Sequence, residues 1–207
     1  MLVHPSMKTI FITLFCSMLC PTHASAQSPV AAATGRTIEV SLGYSYISRR
    51  ESYSNRVGLN GADVGFTIGL NPRLAIRADL GYAWTGNVLG SGRRSDVFSY
   101  MAGPVLYPSA HRHFVTYLHG LVGGARVTGP IPFNGGGFAG WGWANELAWA
   151  VGGGAEYWVS NSMAIRTGVD YLRTASFDTL VTIRGQNNIR TTASMVYFFG
   201  RRSRTRR

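Results

Sequence analysis

The residues that could do chemistry in this chain are few, and their spacing favours structural roles. Beyond the first 26 positions the histidines are His111, His113 and His119. His111 and His113 flank Arg112 with no third ligand in view, so we expect a solvated turn and no metal site. His119 could serve a lipid-modifying enzyme as a base, but a His-x-Ser pair would need a serine where Leu121 stands. We predict a packed or hydrogen-bonded His119 and no enzyme.

Two other features also favour structure over catalysis. Gly152, Gly153 and Gly154 are not followed by the Lys-Ser/Thr pair of a phosphate-binding loop, and they lie within a strand-like stretch. Both cysteines, Cys16 and Cys20, lie near the N-terminus in what is predicted below to be a signal peptide. The mature chain is therefore expected to have no thiol chemistry, no disulfide and no cofactor.

The elements that would position any site are predicted to be strands, because apolar and polar residues alternate with a period of two. The alternation is clear over residues 38–46, 62–70, 74–84, 144–158, 164–171 and 188–199. It is less clean over residues 96–107 and 114–125, and Pro104 predicts a bulge or local break in the first of these. Eight strands result, each of roughly the length that a tilted strand needs to cross a membrane.

The connections between these strands alternate in length. Those at residues 71–73, 108–113 and 160–162 are short, whereas those at 49–58, 85–95, 126–142 and 174–187 are long and rich in Gly, Asn, Ser and Arg. The last strand ends in Tyr197, Phe198 and Phe199, and so resembles the closing strand of outer-membrane barrels. Residues 37–199 resemble the OmpA-like small outer-membrane β-barrel family as a whole. That resemblance implies the barrel-assembly machinery as a partner, through the C-terminal strand.

The N-terminus predicts export. Lys8 precedes a short apolar stretch at residues 10–19, and Ala24-Ser25-Ala26 fits a cleavage site. We expect a signal peptide at 1–26, a flexible leader at 27–36, a barrel domain at 37–200 and a basic periplasmic tail at 201–207. The true start is Met1 or Met7. The predicted class is all-β, an eight-stranded antiparallel up-and-down transmembrane β-barrel in the cell outer membrane.

The composition of the polar face indicates whether the polar or the apolar side chains point into the barrel. A soluble lipocalin-like barrel would carry a dense Lys and Glu surface, but this face is small and sparse in charge. We expect it to line a narrow lumen in which charges pair. A turn centred on Asn161 places Glu156 opposite Arg166, and Asp170 and Arg190 form a second possible pair. The predicted lumen charge network is Glu39, Asp63, Arg77, Asp79, Glu156, Arg166, Asp170 and Arg190.

Aromatic and basic residues are predicted to mark the two ends of the barrel. The expected aromatic girdles are Tyr44, Tyr46, Trp84, Trp141, Trp143 and Tyr171 towards the long loops, and Tyr107, Tyr157, Tyr197 and Phe199 towards the short turns. The expected outer-loop basic residues are Arg49, Arg50, Arg56, Arg93, Arg94, Arg126 and Arg184.

The net charge of +11 fits nucleic-acid binding in principle, but the signal peptide and the membrane-sized strands exclude that partner. Arginine is suited to phosphates, so outer-membrane lipid and lipopolysaccharide are the expected partners; the alternative is that these arginines lie in solvated loops without a specific ligand. We predict a structural or interaction role in which long outer loops contact lipopolysaccharide or external partners. A narrow porin-like channel and a soluble lipocalin-like ligand-binding barrel are the alternatives. The loop ligand and the oligomeric state stay open.

Overall fold

The computed structural model describes residues 38–50, 56–86, 92–111, 113–132, 138–177 and 183–199. They form one closed barrel in which each strand pairs antiparallel with the next and β8 pairs with β1. The strands are β1 Ile38–Arg50, β2 Arg56–Asn71, β3 Leu74–Thr85, β4 Ser95–Ala110, β5 Phe114–Pro132, β6 Phe138–Trp158, β7 Met163–Phe177 and β8 Ile183–Phe199. The predicted fold class is confirmed. The predicted signal peptide, leader and tail lie outside the described residues.

The two faces of the barrel are inverted relative to a water-soluble protein. Large apolar side chains point outward along every strand; Leu42, for example, is 62 % exposed and Leu147 is 70 % exposed. The inner face buries charged and hydroxyl side chains such as Arg190 and Thr67. A continuous apolar outer surface is stable only in apolar surroundings. The barrel is therefore a transmembrane one, and the lipocalin-like arrangement is excluded.

The strands are longer than predicted at the end where the long connections lie. Arg56, Val57 and Gly58 were expected in a loop but begin β2, and they pair with residues 48–50 of β1. Likewise β5 and β6 stay paired from Phe114↔Tyr157 to Pro132↔Phe138, and β7 continues to Phe177. Polar and glycine-rich composition did not end these strands, because neighbouring strands satisfy their backbone hydrogen bonds beyond the membrane as well as within it.

Pro104 does not interrupt β4 itself. The residue pairs with Ile76 of β3, while the pairing with β5 steps from Ala102 to Val105 without a change of register. The register shift occurs further on, between Leu106 and Ser109. A proline lacks the N–H group that one neighbouring strand would accept, which accounts for the local gap. No helix in the described part of the chain is long and apolar enough to span a membrane.

Candidate functional site

One cluster of lumen charges lies around Arg166 of β7. Its Nε donates to Glu156 Oε1 at 2.7 Å and its Nη2 to Glu39 Oε2 at 2.8 Å. The guanidinium carbon lies 5.3 Å from the ring centroid of Tyr117, and Tyr107 donates to Glu39 Oε2 at 3.5 Å. Glu156 lies directly opposite Arg166 in the ladder, in the predicted register. A single buried arginine thus neutralises two carboxylates that the barrel brings together from β1 and β6.

A second cluster lies around Arg190 of β8. Its Nη1 donates to Asp79 Oδ1 at 2.7 Å, and its Nε donates to Asp170 Oδ2 at 2.8 Å. Arg77 Nη2 binds the other oxygen of Asp79 at 2.9 Å. His119 Nε2 lies 2.9 Å from Asp170 Oδ1. Each carboxylate of this cluster therefore keeps a second basic neighbour besides Arg190.

Asp63 completes the set of predicted lumen charges. Its Oδ2 lies 3.9 Å from Arg77 Nη2, the longest ion pair of the lumen among the described residues. All eight predicted residues face the lumen and none is more than 7 % exposed. Alternation accounts for this placement, because the eight positions share one face of their strands.

An apolar layer lies across the lumen beyond these clusters. Its members include Leu59, Val127 and Leu172, each 0 % exposed, together with Met101 and Leu121. The other end of the lumen holds Trp158 stacked on Phe198 at 4.0 Å between ring centroids. An eight-stranded barrel is narrow enough for side chains to fill it. The described lumen is therefore packed with side chains at both ends and across its middle.

Arg49 was predicted wrongly to be an outer-loop residue. It lies in β1 on the inner face and is 3 % exposed. Its Nε donates to Gln186 Oε1 and its Nη1 to Ser95 Oγ, both at 3.0 Å. Because β1 runs on to Arg50, the alternation that places Glu39 in the lumen also places Arg49 there.

The other predicted basic residues are divided between strands and loops. Arg93 and Arg94 lie exposed between β3 and β4, as predicted. Arg56 lies at the start of β2, and Arg126 lies within β5, so both belong to strands and not to loops. Arg50 and Arg184 also belong to strands, β1 and β8, although their side chains lie outside the described part. These four arginines were assigned to loops because the predicted strands were too short.

Tyr107 was predicted wrongly to belong to the aromatic girdle at the short turns. It shares the inner face of β4 with Val105 and reaches Glu39 in the lumen. The mixed polarity of β4 hid its alternation in the sequence. The girdle residues that are exposed on the outer face are Tyr44, Tyr46, Trp84, Trp143, Tyr157, Tyr171, Tyr197 and Phe199. Trp141 is half-buried and lies two residues before Trp143 on the same strand face.

The outer face carries a patch of arginines on aromatic rings at the long-connection end. We call it the basic–aromatic rim. Arg94 lies 5.7 Å from the ring centroid of Tyr82 and 5.9 Å from that of Trp84, and it donates to the Tyr82 hydroxyl. The remaining contacts join Arg93 to Trp141 at 5.6 Å and Arg126 to Trp143 at 5.0 Å.

Strand register makes this rim continuous. Trp84, Asp96, Thr128 and Trp143 lie side by side across β3, β4, β5 and β6. Tyr82, Phe98, Arg126 and Asn145 form the adjacent row. Arg94 Nε lies 3.8 Å from Asp96 Oδ2, so part of its charge is compensated within the rim. A guanidinium stacked on a ring still presents its remaining N–H groups at its edge, where they can bind phosphate or sulfate oxygens. The rim can therefore bind anionic groups at the membrane surface.

Three site residues were not predicted as members of the lumen network. His119, Tyr117 and Tyr107 all approach its charges from β4 and β5, the two strands with mixed alternation. Their shared odd numbering within each strand was the signal that could have found them. Among the described residues, no group of three or more His, Cys, Asp or Glu side chains is arranged to hold a metal ion.

Comparison with known proteins identifies the fold. No family model matches the sequence, and no curated protein matches it. Neisserial surface protein A aligns with a TM-score of 0.60 at 14 % identity, covering 81 % of this chain and 99 % of that one. The attachment invasion locus protein Ail of Yersinia pestis, solved with the heparin analogue sucrose octasulfate, aligns with a TM-score of 0.57 at 15 % identity, covering 80 % and 100 %. The chain thus has the fold of small eight-stranded outer-membrane barrels.

Proposed function

We propose that this protein is an integral outer-membrane barrel whose outward end binds the phosphate groups of lipopolysaccharide. The observation that carries the proposal is the basic–aromatic rim, which lies on the outer face at the end with the long connections. Lipid phosphates lie at the height where an apolar barrel surface ends. Ail has been solved with a polysulfated sugar analogue, and a polyanion of that kind supports the ligand class.

The role that we propose is structural or interactive, without enzymatic activity and with lipid and external molecules as partners. The exposed Tyr197 and Phe199 at the end of β8 are suited to recognition by the barrel-assembly machinery, which we also propose as a partner. A narrow channel is the second candidate. The packed apolar layer around Leu59 and Leu172 opposes it, because water and ions would have to pass through a layer filled by apolar side chains.

A charge-matched substitution tests the lipid proposal. In one variant Arg93, Arg94 and Arg126 are replaced by Gln; in the control, Arg73, Arg201 and Arg202 are replaced, so that both lose the same three charges. The proteins are refolded in detergent, and heat-modifiable migration on gels shows that each barrel has formed. Lipopolysaccharide binding is then measured by intrinsic tryptophan fluorescence at low and high salt.

We expect the rim variant to bind at least tenfold more weakly, and we expect the control to bind like the unchanged protein. Each charge-assisted hydrogen bond to an exposed phosphate is worth roughly 1 kcal/mol, so three lost arginines suffice for that change. Salt should weaken binding by the unchanged protein more than binding by the rim variant. Equal binding by the two variants would refute the proposal.

A further inference from the structure

The basic–aromatic rim consists of two separate cation sites. At one of them, Arg94 lies over the rings of Tyr82 and Trp84, both of which belong to β3. At the other, Arg126 of β5 lies over Trp143 of β6, 5.0 Å from its ring centroid. We call them the β3 site and the β6 site.

Two consecutive residues of the chain are divided between these sites. Arg93 lies over Trp141 of β6, whereas Arg94 lies over rings of β3. Their side chains therefore diverge from the start of β4, and the β6 site holds two arginines. Each guanidinium is held against rings that stand on paired strands, so the distance between the sites depends on the barrel wall.

Strand register gives that distance. Trp84 of β3 and Trp143 of β6 lie in one row, with Asp96 and Thr128 between them. Neighbouring strands lie about 4.8 Å apart, so three strand intervals separate the two tryptophans by roughly 14 Å along the wall. A single phosphate is too small to contact both sites at once. Each site would therefore bind an anionic group of its own.

The middle of this row carries a negative charge. Asp96 lies between the two sites, and its Oδ2 faces Arg94 Nε at 3.8 Å. In the part of the chain that the structure describes, Asp96 is the one carboxylate on the outer face. Glu146 is exposed too, but it lies across from the fully buried Ala125, at an inner-face position of β6. The rim thus attracts anions at its two ends and repels an anion at its centre.

The wall below the rim, on the side of the short turns, carries an apolar row. Its members are Leu80, Tyr100, Gly124 and Leu147. The three large side chains are exposed on the outer face, and the Tyr100 ring covers Gly124. Acyl chains can pack on such a surface. A ligand that uses both the rim and this row has to be an amphiphile.

We propose that the rim binds an acylated sugar with two well-separated phosphate groups, one at each site, and that Asp96 determines this spacing preference. The sugar segment between the phosphates lies over Asp96, whose carboxylate accepts hydrogen bonds from hydroxyl or amide groups and repels a phosphate placed there. This inference rests on the proposed function, because it names the ligand class of the same rim.

Three synthetic glycolipids with the same acyl chains test the spacing. The first carries one phosphate on each sugar of a disaccharide, the second carries both phosphates on neighbouring hydroxyls of one sugar, and the third carries a single phosphate. Their binding to the detergent-refolded protein is measured by intrinsic tryptophan fluorescence. We expect the first glycolipid to bind at least tenfold more tightly than either of the others. Equal binding by the first and second, which have the same charge, overturns the spacing preference, and equal binding by the first and third overturns two-site binding.

Asp96→Asn tests the role of the central carboxylate, because it removes the charge and keeps the size of the side chain. We expect the preference for the first glycolipid over the second to fall at least threefold, through tighter binding of the second. Thr128→Val, at the next position of the row, changes no charge and is the control. An unchanged preference in Asp96→Asn, or an equal fall in Thr128→Val, overturns the assignment. Weaker binding of all three glycolipids by Asp96→Asn also overturns it, since Asp96 would then only hold Arg94 in place.

Arg94→Gln removes the β3 site and leaves both arginines of the β6 site. This variant should bind the first glycolipid no more tightly than the third, while Arg73→Gln should keep the full preference; a preference retained in Arg94→Gln refutes two-site binding. The outcomes also separate this inference from the lipid proposal. If all three glycolipids bind equally and depend on the rim arginines, the spacing inference fails and the lipid proposal stands. If neither the glycolipids nor lipopolysaccharide depend on those arginines, both fail.

Discussion

Replacing Arg166 with methionine should destabilise the barrel more than the same replacement of Arg190, the other arginine that joins two carboxylates in the lumen. The side chain is 3 % exposed and holds Glu156 and Glu39 at 2.7 and 2.8 Å. Without it, neither carboxylate keeps a cation within ion-pair distance among the described residues; the Tyr107 hydroxyl, at 3.5 Å from Glu39, remains. Removing one partner of a buried pair costs roughly 3–5 kcal/mol. We expect a loss of stability in that range.

Arg190→Met is the matched comparison. Arg190 is also buried, at 2 % exposure, and it also joins two carboxylates. Asp79 would still have Arg77 at 2.9 Å, however, and Asp170 would still have His119 at 2.9 Å. The loss should be nearer to that of charged hydrogen bonds, roughly 1.5–3 kcal/mol. The order of the two variants therefore follows from the partners that remain.

The assay is urea unfolding in detergent or lipid vesicles, followed by tryptophan fluorescence and by migration of unboiled protein on gels. Glu39→Gln and Glu156→Gln are then added to Arg166→Met. Neutral amides have no charge to compensate, so this triple variant should recover most of the lost stability. The reasoning is refuted if Arg190→Met costs as much as Arg166→Met, or if the triple variant is less stable than Arg166→Met alone.

Two further predictions concern the packed lumen. Purified protein in planar bilayers should show no steady conductance, because Leu59, Val127 and Leu172 are fully buried across the lumen; a stable open current in the unchanged protein would support the channel. Phe198→Ala should lower stability by roughly 3–5 kcal/mol, since this ring stacks on Trp158 at 4.0 Å. Its control, Phe199→Ala, removes an outward ring that is 51 % exposed and should cost less in the same unfolding assay; equal losses would contradict the lumen packing.

Most of the fold could be predicted from the alternation of apolar and polar residues within each strand. A side chain's face depends only on its position in the strand, so Glu39, Arg77 and Asp170 could be placed in the lumen without any knowledge of the neighbouring strands. The short turn at residues 160–162 similarly fixed the register of Glu156 against Arg166, because hairpin pairing is set by the turn. In β4 and β5 the alternation was mixed. Tyr107 was therefore placed wrongly in the aromatic girdle, and His119 was not assigned to the lumen charge network.

By itself, the sequence determined the strands, their number and the chemical character of each face, since these follow from a period of two. Only the tertiary structure decided which charges meet. Arg166 reaches Glu39 across 127 positions and Arg190 reaches Asp79 across 111, because barrel closure brings β1 and β3 near β7 and β8. It also decided where strands end, which placed Arg49 in the lumen. Where a strand ends depends on whether a neighbouring strand can pair with it. The residue pattern within one strand gives no information about that neighbour.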